Sequence, residues 1–119
     1  MTVSTLLTTI CQSIADKKGF NIVTIDVRGI STLADYFVIA EGNVDRHVQA
    51  IADAVDQSVV ESCGYKAFLT EGRSYGDWIV LDYHEVLVHL FIPEMREKYQ
   101  LETVWKEGKV VSVPIAYTE

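Results

Sequence analysis

The chain has 119 residues, 49% of them hydrophobic, with 17 acidic against 10 basic side chains and a net charge of −7. That length fits one ordinary domain, and its apolar fraction fills one core, so a second core or a disulfide staple is not called for. Protein affinity for RNA or DNA comes largely from Lys and Arg on phosphates, so the acidic balance argues against direct nucleic-acid binding and toward a basic protein patch.

The first eighteen residues lack a basic leader and a small-residue cleavage site, and no window offers the roughly 18 apolar residues of a membrane span. The expectation is a soluble chain. With no Arg-rich presequence, the bacterial cytoplasm is the expected setting. Cys11 and Cys63 fall within helix-like patterns and read as small buried hydrophobes in a reducing compartment.

In chain order, Val3, Leu6, Leu7, Ile10, Cys11 and Ile14 recur at helical spacing over residues 2–18, with Gly19 suited to a left-handed stop. Residues 21–27 are short and β-branched and predict a strand, followed by a loop through Arg28, Gly29 and Ile30. The apolar run Tyr36 to Ala40 predicts an interior strand covered on both faces. Asn43 is placed to cap a helix over 44–63, whose apolar stripe is Val44, Val48, Ile51, Ala52, Val55 and Val59, with Gly64 as its stop.

Residues 67–70, 78–81 and 86–92 then predict an antiparallel meander, and Pro93 opens a short helix through Tyr99. The expected architecture is α/β (α+β), a mixed sheet of about five strands with helices packed on it. Residues 1–105 form the expected domain, and residues 106–119 an extended C-terminal tail.

Two Asp, one Glu and two His crowd residues 76–89, a density that invites comparison with a metal or acid/base site. His84 and His89 are five apart, whereas the zinc motif H-E-x-x-H needs i and i+4 on one helix face. In a strand that odd separation sends the two rings to opposite faces. His84 and Glu85 fall at the turn expected between two strands, and no third ligand stands at a recognisable spacing, so no metal is expected.

Asp26, Asp35, Asp77 and Asp82 are the candidates for a Mg²⁺-dependent nucleotide enzyme, but they form no D-x-D pair, and the chain has no Gly-rich phosphate loop with Lys. No nucleophile signature frames either cysteine. His47 reads as a hydrogen-bonded structural histidine. Trp78 opens a strand beside the turn residues Gly76 and Asp77, where it serves equally as core or as an exposed interface anchor.

Several stretches taken together resemble the ribosomal silencing factor (RsfS, or Iojap) family. They are Asp26-Val27-Arg28, Asp35 to Ala40 with Gly42, His47-Val48 with Ile51-Ala52-Asp53, Glu71-Gly72, Asp77-Trp78-Ile79 with Asp82, Val86, Val88-His89 and Phe91, then Arg96, Tyr99, Leu101-Glu102 and Trp105. Glu41 departs from the pattern, since a small hydroxyl residue is expected there. The tail lies beyond the matched part.

The resemblance implies a nucleotidyltransferase-like fold without the catalytic carboxylates, needing no cofactor and performing no catalysis. It implies binding to the large ribosomal subunit through its protein number fourteen, and hence a block on joining of the small subunit and on translation under nutrient limitation. Homodimers are also implied. The docking residues expected on this basis are Trp78, Tyr99, Leu101 and His89 as apolar or aromatic anchors, with Glu71, Asp77, Asp82 and Glu102 as acidic complements. The alternative class is a divergent nucleotidyltransferase-like enzyme acting on a nucleotide with Mg²⁺.

Overall fold

A computed structural model describes residues 2–100, Thr103 and residues 106–117. The described residues form helices α1 (Val3–Asp16), α2 (Asp45–Cys63) and α3 (Pro93–Tyr99), and strands β1 (Phe20–Asp26), β2 (Tyr36–Glu41), β3 (Leu69–Glu71), β4 (Trp78–Asp82), β5 (Val86–Phe91) and β6 (Lys109–Val111). The strands make a single sheet of order β3-β4-β5-β2-β1-β6, in which β2 and β5 run parallel and every other pair antiparallel.

α1 begins where the Thr2 side chain accepts the Thr5 backbone N–H at 3.1 Å, satisfying one donor of the first turn. Its stripe of Leu6, Leu7, Ile10, Cys11 and Ile14 is buried as the spacing predicts. The left-handed residue at its end is Lys18 (φ 68°) rather than Gly19. Gly19 is needed for room instead: a Cβ there would come within 2.4 Å of the Ile14 side chain, while its N–H closes the helix end on the Ile14 carbonyl.

α2 starts without a side-chain cap at Val44. The expected cap position falls on Val44 and not on Asn43, and the Asn43 backbone N–H donates instead to His47 Nδ1 at 2.9 Å, while His47 Nε2 donates to the Lys17 carbonyl at 2.8 Å. The ring is the structural histidine its position suggested, in its neutral Nε2–H form. It ties the α1 end to the α2 start. Gly64 ends α2 in the left-handed conformation (φ 79°), as expected.

One face of the sheet is closed by α1 and α2, which bury Val38, Ala40, Ile79, Leu81, Val86, Val88 and Leu90 against Leu6, Ile10, Ile51, Val55 and Val59. At about 25 cal/mol per Å² of apolar surface, this layer is the main source of stability. Tyr83, 1% exposed, donates its hydroxyl to Asp56 of α2, and Arg73 bridges Asp53 and Asp56, so the β3–β4 loop and the β4–β5 turn are locked onto one helix. Burial first, and then the Asp56 bond, holds the Tyr83 phenol far above the ordinary tyrosine range.

The three-strand meander and the interior β2 follow the sequence reading, and the described residues form a sheet of six strands where about five were expected. The additional one is β6, in the segment read as tail, whose Val110 and Val111 pair with Ile25 and Thr24. Beyond it Val113 and Ile115 pack on the first core. The Gln12 side-chain amide, donating to the Ala116 carbonyl and accepting its N–H at 2.8 Å each, imitates a strand pair.

Candidate docking surface

Residues opposed in a ladder share a face, so the register lays out the second side of the sheet. Leu69, Asp82, Leu87, Phe37 and Ile25 form one row, Val80, His89, Ile39 and Val23 with Glu71 a second, and Trp78, Phe91 and Glu41 a third. This side has its own core of Ile25, Val27, Ala34, Phe37, Ile39 and Phe91, with Met95 of α3 packed on it. Toward β3 the cover ends: Val80, Asp82 and Leu87 are half-buried, and Leu69 is 48% exposed.

Trp78 stands at the boundary between the covered and uncovered parts. Its indole lies 4.9 Å from the Phe91 ring and 4.8 Å from the Tyr99 ring, centroid to centroid, and 6.0 Å from His89. Half-buried, it is at once the rim of the second core and part of the surface, which resolves the two roles its sequence position left open. Tyr99 continues the aromatic strip outward at 42% exposure.

The indole N–H donates to His89 Nδ1 at 3.2 Å. Since indole nitrogen can only donate, His89 must be an acceptor there, which selects the neutral imidazole with its proton on Nε2. Phe37 and Phe91 flank the same ring at 5.5 and 6.1 Å. Burial alone lowers the His89 pKa to about 4. At neutral pH the side chain is an uncharged strut that holds the indole by its polar edge.

The expected docking residues therefore divide. Glu71, Trp78, Asp82 and His89 share the second face, with the Tyr99 ring tilted against Trp78. His89 is 7% exposed, so it supports the surface from beneath and does not present an anchor of its own. Asp82 also serves the turn, accepting the His84 N–H at 2.8 Å, and Asp77 lies in a cleft of about 330 Å³ with Val44, Tyr75 and Pro93. Leu101, Glu102 and Trp105 lie outside the described residues.

Sequence reasoning passed over Val80 and Leu87 as surface residues, although the alternation Trp78, Val80, Asp82 places the first on the Trp78 face. Leu87 was hidden in an unbroken apolar run. It also gave no role to the close approach at Gly72, where φ is 82° and a Cβ would sit 2.0 Å from the Trp78 carbonyl oxygen. Only glycine admits that contact, so Gly72 sets where β4 and its tryptophan begin.

Other charged groups are occupied structurally. Asp26 is held below the usual carboxylate range by its hydrogen bonds from Arg28. His84 sits exposed in the β4–β5 turn at φ 68°, and Cys11 is a buried free thiol whose pKa is raised by that burial. Among the described residues no group of three or more His, Cys, Asp or Glu is arranged to hold a metal ion. No described helix is long and apolar enough to cross a membrane.

The fold and this face define a class: an α+β domain with one sheet side closed by two long helices and the other left half-covered around an aromatic strip. The model of the family "Ribosomal silencing factor during starvation" matches residues 1–118, and the chain belongs to that family. It is 36% identical over 111 residues to the ribosomal silencing factor of Zymomonas mobilis, covering 93% of this chain and 83% of the relative. A crystal structure of a Chromobacterium violaceum protein superposes with a TM-score of 0.85 at 26% identity, covering 100% of this chain and 98% of that one. A Bacillus halodurans structure gives 0.79 at 33% identity, covering 90% and 96%.

Proposed function

We propose that this chain represses translation by docking on the large ribosomal subunit, through its protein number fourteen, and sterically blocking the small subunit. The observation that carries the reading is the half-covered strip of Trp78 and Tyr99 over Phe91 and His89 in a member of the silencing-factor family. A rigid aromatic edge beside exposed apolar and acidic groups suits a protein patch with apolar pockets and basic rim residues. Glu71, Asp77 and Asp82, with Glu102, supply the complement, and the net charge of −7 keeps the domain off bare rRNA.

The block needs no chemistry, and catalysis and cofactors have no part in it. A body with a radius of gyration of 13.0 Å seated on the joining surface excludes the opposing subunit by volume alone. Sites of action are the bacterial cytoplasm and its ribosomes. A homodimer would either coexist with docking or compete with it, and the 1–105 unit with its tail is expected to act as one body.

The test is co-sedimentation of the protein with isolated large subunits, followed by addition of small subunits. Wild type is expected to bind and to prevent joining, with affinity falling as salt rises, whereas Trp78→Ala, checked for folding, loses both effects. Retained binding and blocking by folded Trp78→Ala would misplace the surface. Turnover of a nucleotide with Mg²⁺ would move the protein to the enzyme class.

A further inference from the structure

α3 has seven residues, and none of them is buried. Two turns of helix do not persist alone in water, so the place of α3 on the sheet depends on a few tethers. Met95 supplies one, half-buried in the second core. Arg96 supplies another: its side chain, 13% exposed, reaches Glu41 at 3.0 Å, whose carboxylate is 9% exposed.

Asn21 closes the network. The Arg96 guanidinium also donates to the Asn21 carbonyl, and the Asn21 amide donates to the same Glu41 oxygen at 3.0 Å. Asn21 offers that carbonyl from a left-handed conformation (φ 51°) inside the bulge of β1. A helix, a strand end and a bulge thus meet in one polar cluster, in which Glu41 is buried, Arg96 half-buried and Asn21 exposed. Glu41 is the residue that departs from the small hydroxyl expected of the family, and a hydroxyl would bring no charge to hold Arg96.

The geometry connects this cluster to the docking edge. Glu41 lies opposite Phe91, which lies opposite Trp78, so the three occupy one row of the sheet. Arg96 and Tyr99 are three apart on α3 and therefore lie on the same side of the helix. Fixing Arg96 fixes the rotation of α3, and with it the Tyr99 ring 4.8 Å from Trp78.

We infer that Asn21, Glu41 and Arg96 form the positioning device of the docking edge: they hold α3 so that Tyr99 stands against Trp78, without themselves touching the partner. This rests on the docking reading above. Glu41 and Arg96 are positioning residues, and exchanging either acts on binding through Tyr99.

The experiment is a double-mutant cycle on large-subunit binding with wild type, Glu41→Ser, Tyr99→Ala and the double variant, together with the Trp78–Tyr99 ring NOE in the free proteins. Glu41→Ser is expected to lose the NOE and to weaken binding about tenfold, with no further weakening where Tyr99 is already alanine. Binding losses that simply multiply would mark a merely structural role and overturn the inference. A Glu41→Ser protein that keeps the NOE and binds as wild type, while Trp78→Ala does not bind, overturns it and leaves the docking reading standing. If Trp78→Ala and Tyr99→Ala both bind normally, docking at this face is wrong and the inference falls with it. Should Glu41→Ser fail to fold, Arg96→Lys, which keeps the charge but loses the guanidinium's reach to Asn21, enters the same cycle.

Discussion

Acidification should weaken this protein through His89, whose buried imidazole accepts the Trp78 N–H. In the unfolded chain the ring takes up a proton as the pH drops below the ordinary 6.5, whereas in the folded protein its pKa is lowered to about 4. Above pH 6.5 both states are neutral and the folded state has its full stability. Between the two values the unfolded chain binds a proton that the folded chain does not, so stability falls with pH and the loss is complete below about pH 4. At 1.36 kcal/mol per unit, the gap corresponds to roughly 3 kcal/mol, of which about 2.5 is lost by pH 4.5. That is a large share of the 5–15 kcal/mol typical of a domain.

Carboxylates titrate in the same range, so the measurement is a comparison: urea unfolding of wild type and His89→Asn at pH 7 and at pH 4.5. Asn presents an acceptor near the Nδ1 position without titrating. The wild type should lose about 2.5 kcal/mol more than the variant across that interval, and the His89 resonances should titrate near pH 4 and not at the ordinary 6.5. Parallel losses in the two proteins, or a His89 pKa near 6.5, would refute the argument that this ring is a neutral buried strut.

Gly72→Ala should cost more than Gly29→Ala in thermal unfolding: both carry a left-handed φ near 80°, worth about 1–2 kcal/mol to an L-residue, but only Gly72 adds a clash with the Trp78 carbonyl. Equal losses would remove Gly72 from the set that positions β4. Tyr83→Phe, which strands the Asp56 carboxylate beside Arg73, should destabilise by about 1–3 kcal/mol in denaturant titration, and no loss would mean the network is slack. Gln12→Ala should speed hydrogen exchange at the Ala116 amide while leaving global stability nearly unchanged; unchanged exchange would show that the tail is held by Val113 and Ile115 alone.

Most of the fold was legible because its signals are local. The α1 and α2 stripes, Gly64, the Pro93 start and the β-branched runs each act within a few residues. β6 was not legible: two exposed residues and one half-buried residue at a sheet edge bury little, and only pairing with β1 distinguishes Lys109–Val111 from an extended tail. The Asn43 cap failed because the N-cap position falls one residue on, at Val44, and Asn43 is held instead through its backbone N–H, which donates to His47 one turn into the helix. The left-handed position fell on Lys18 because Gly19 had to fit against Ile14.

What the sequence by itself determined was the order of elements from α1 to α3, the two-sided burial of β2, the turn at His84, the wrong spacing of its histidines for zinc, and the residues that mark its family. These depend on period and spacing along the chain. Only the tertiary structure decided that Trp78 is both rim and surface, that His89 works from below, and that the odd Glu41 has a partner in Arg96, 55 residues away. Such roles are set by which strand lies beside which and by what is left uncovered, and sheet order and cover are properties of the packed molecule, not of any one segment.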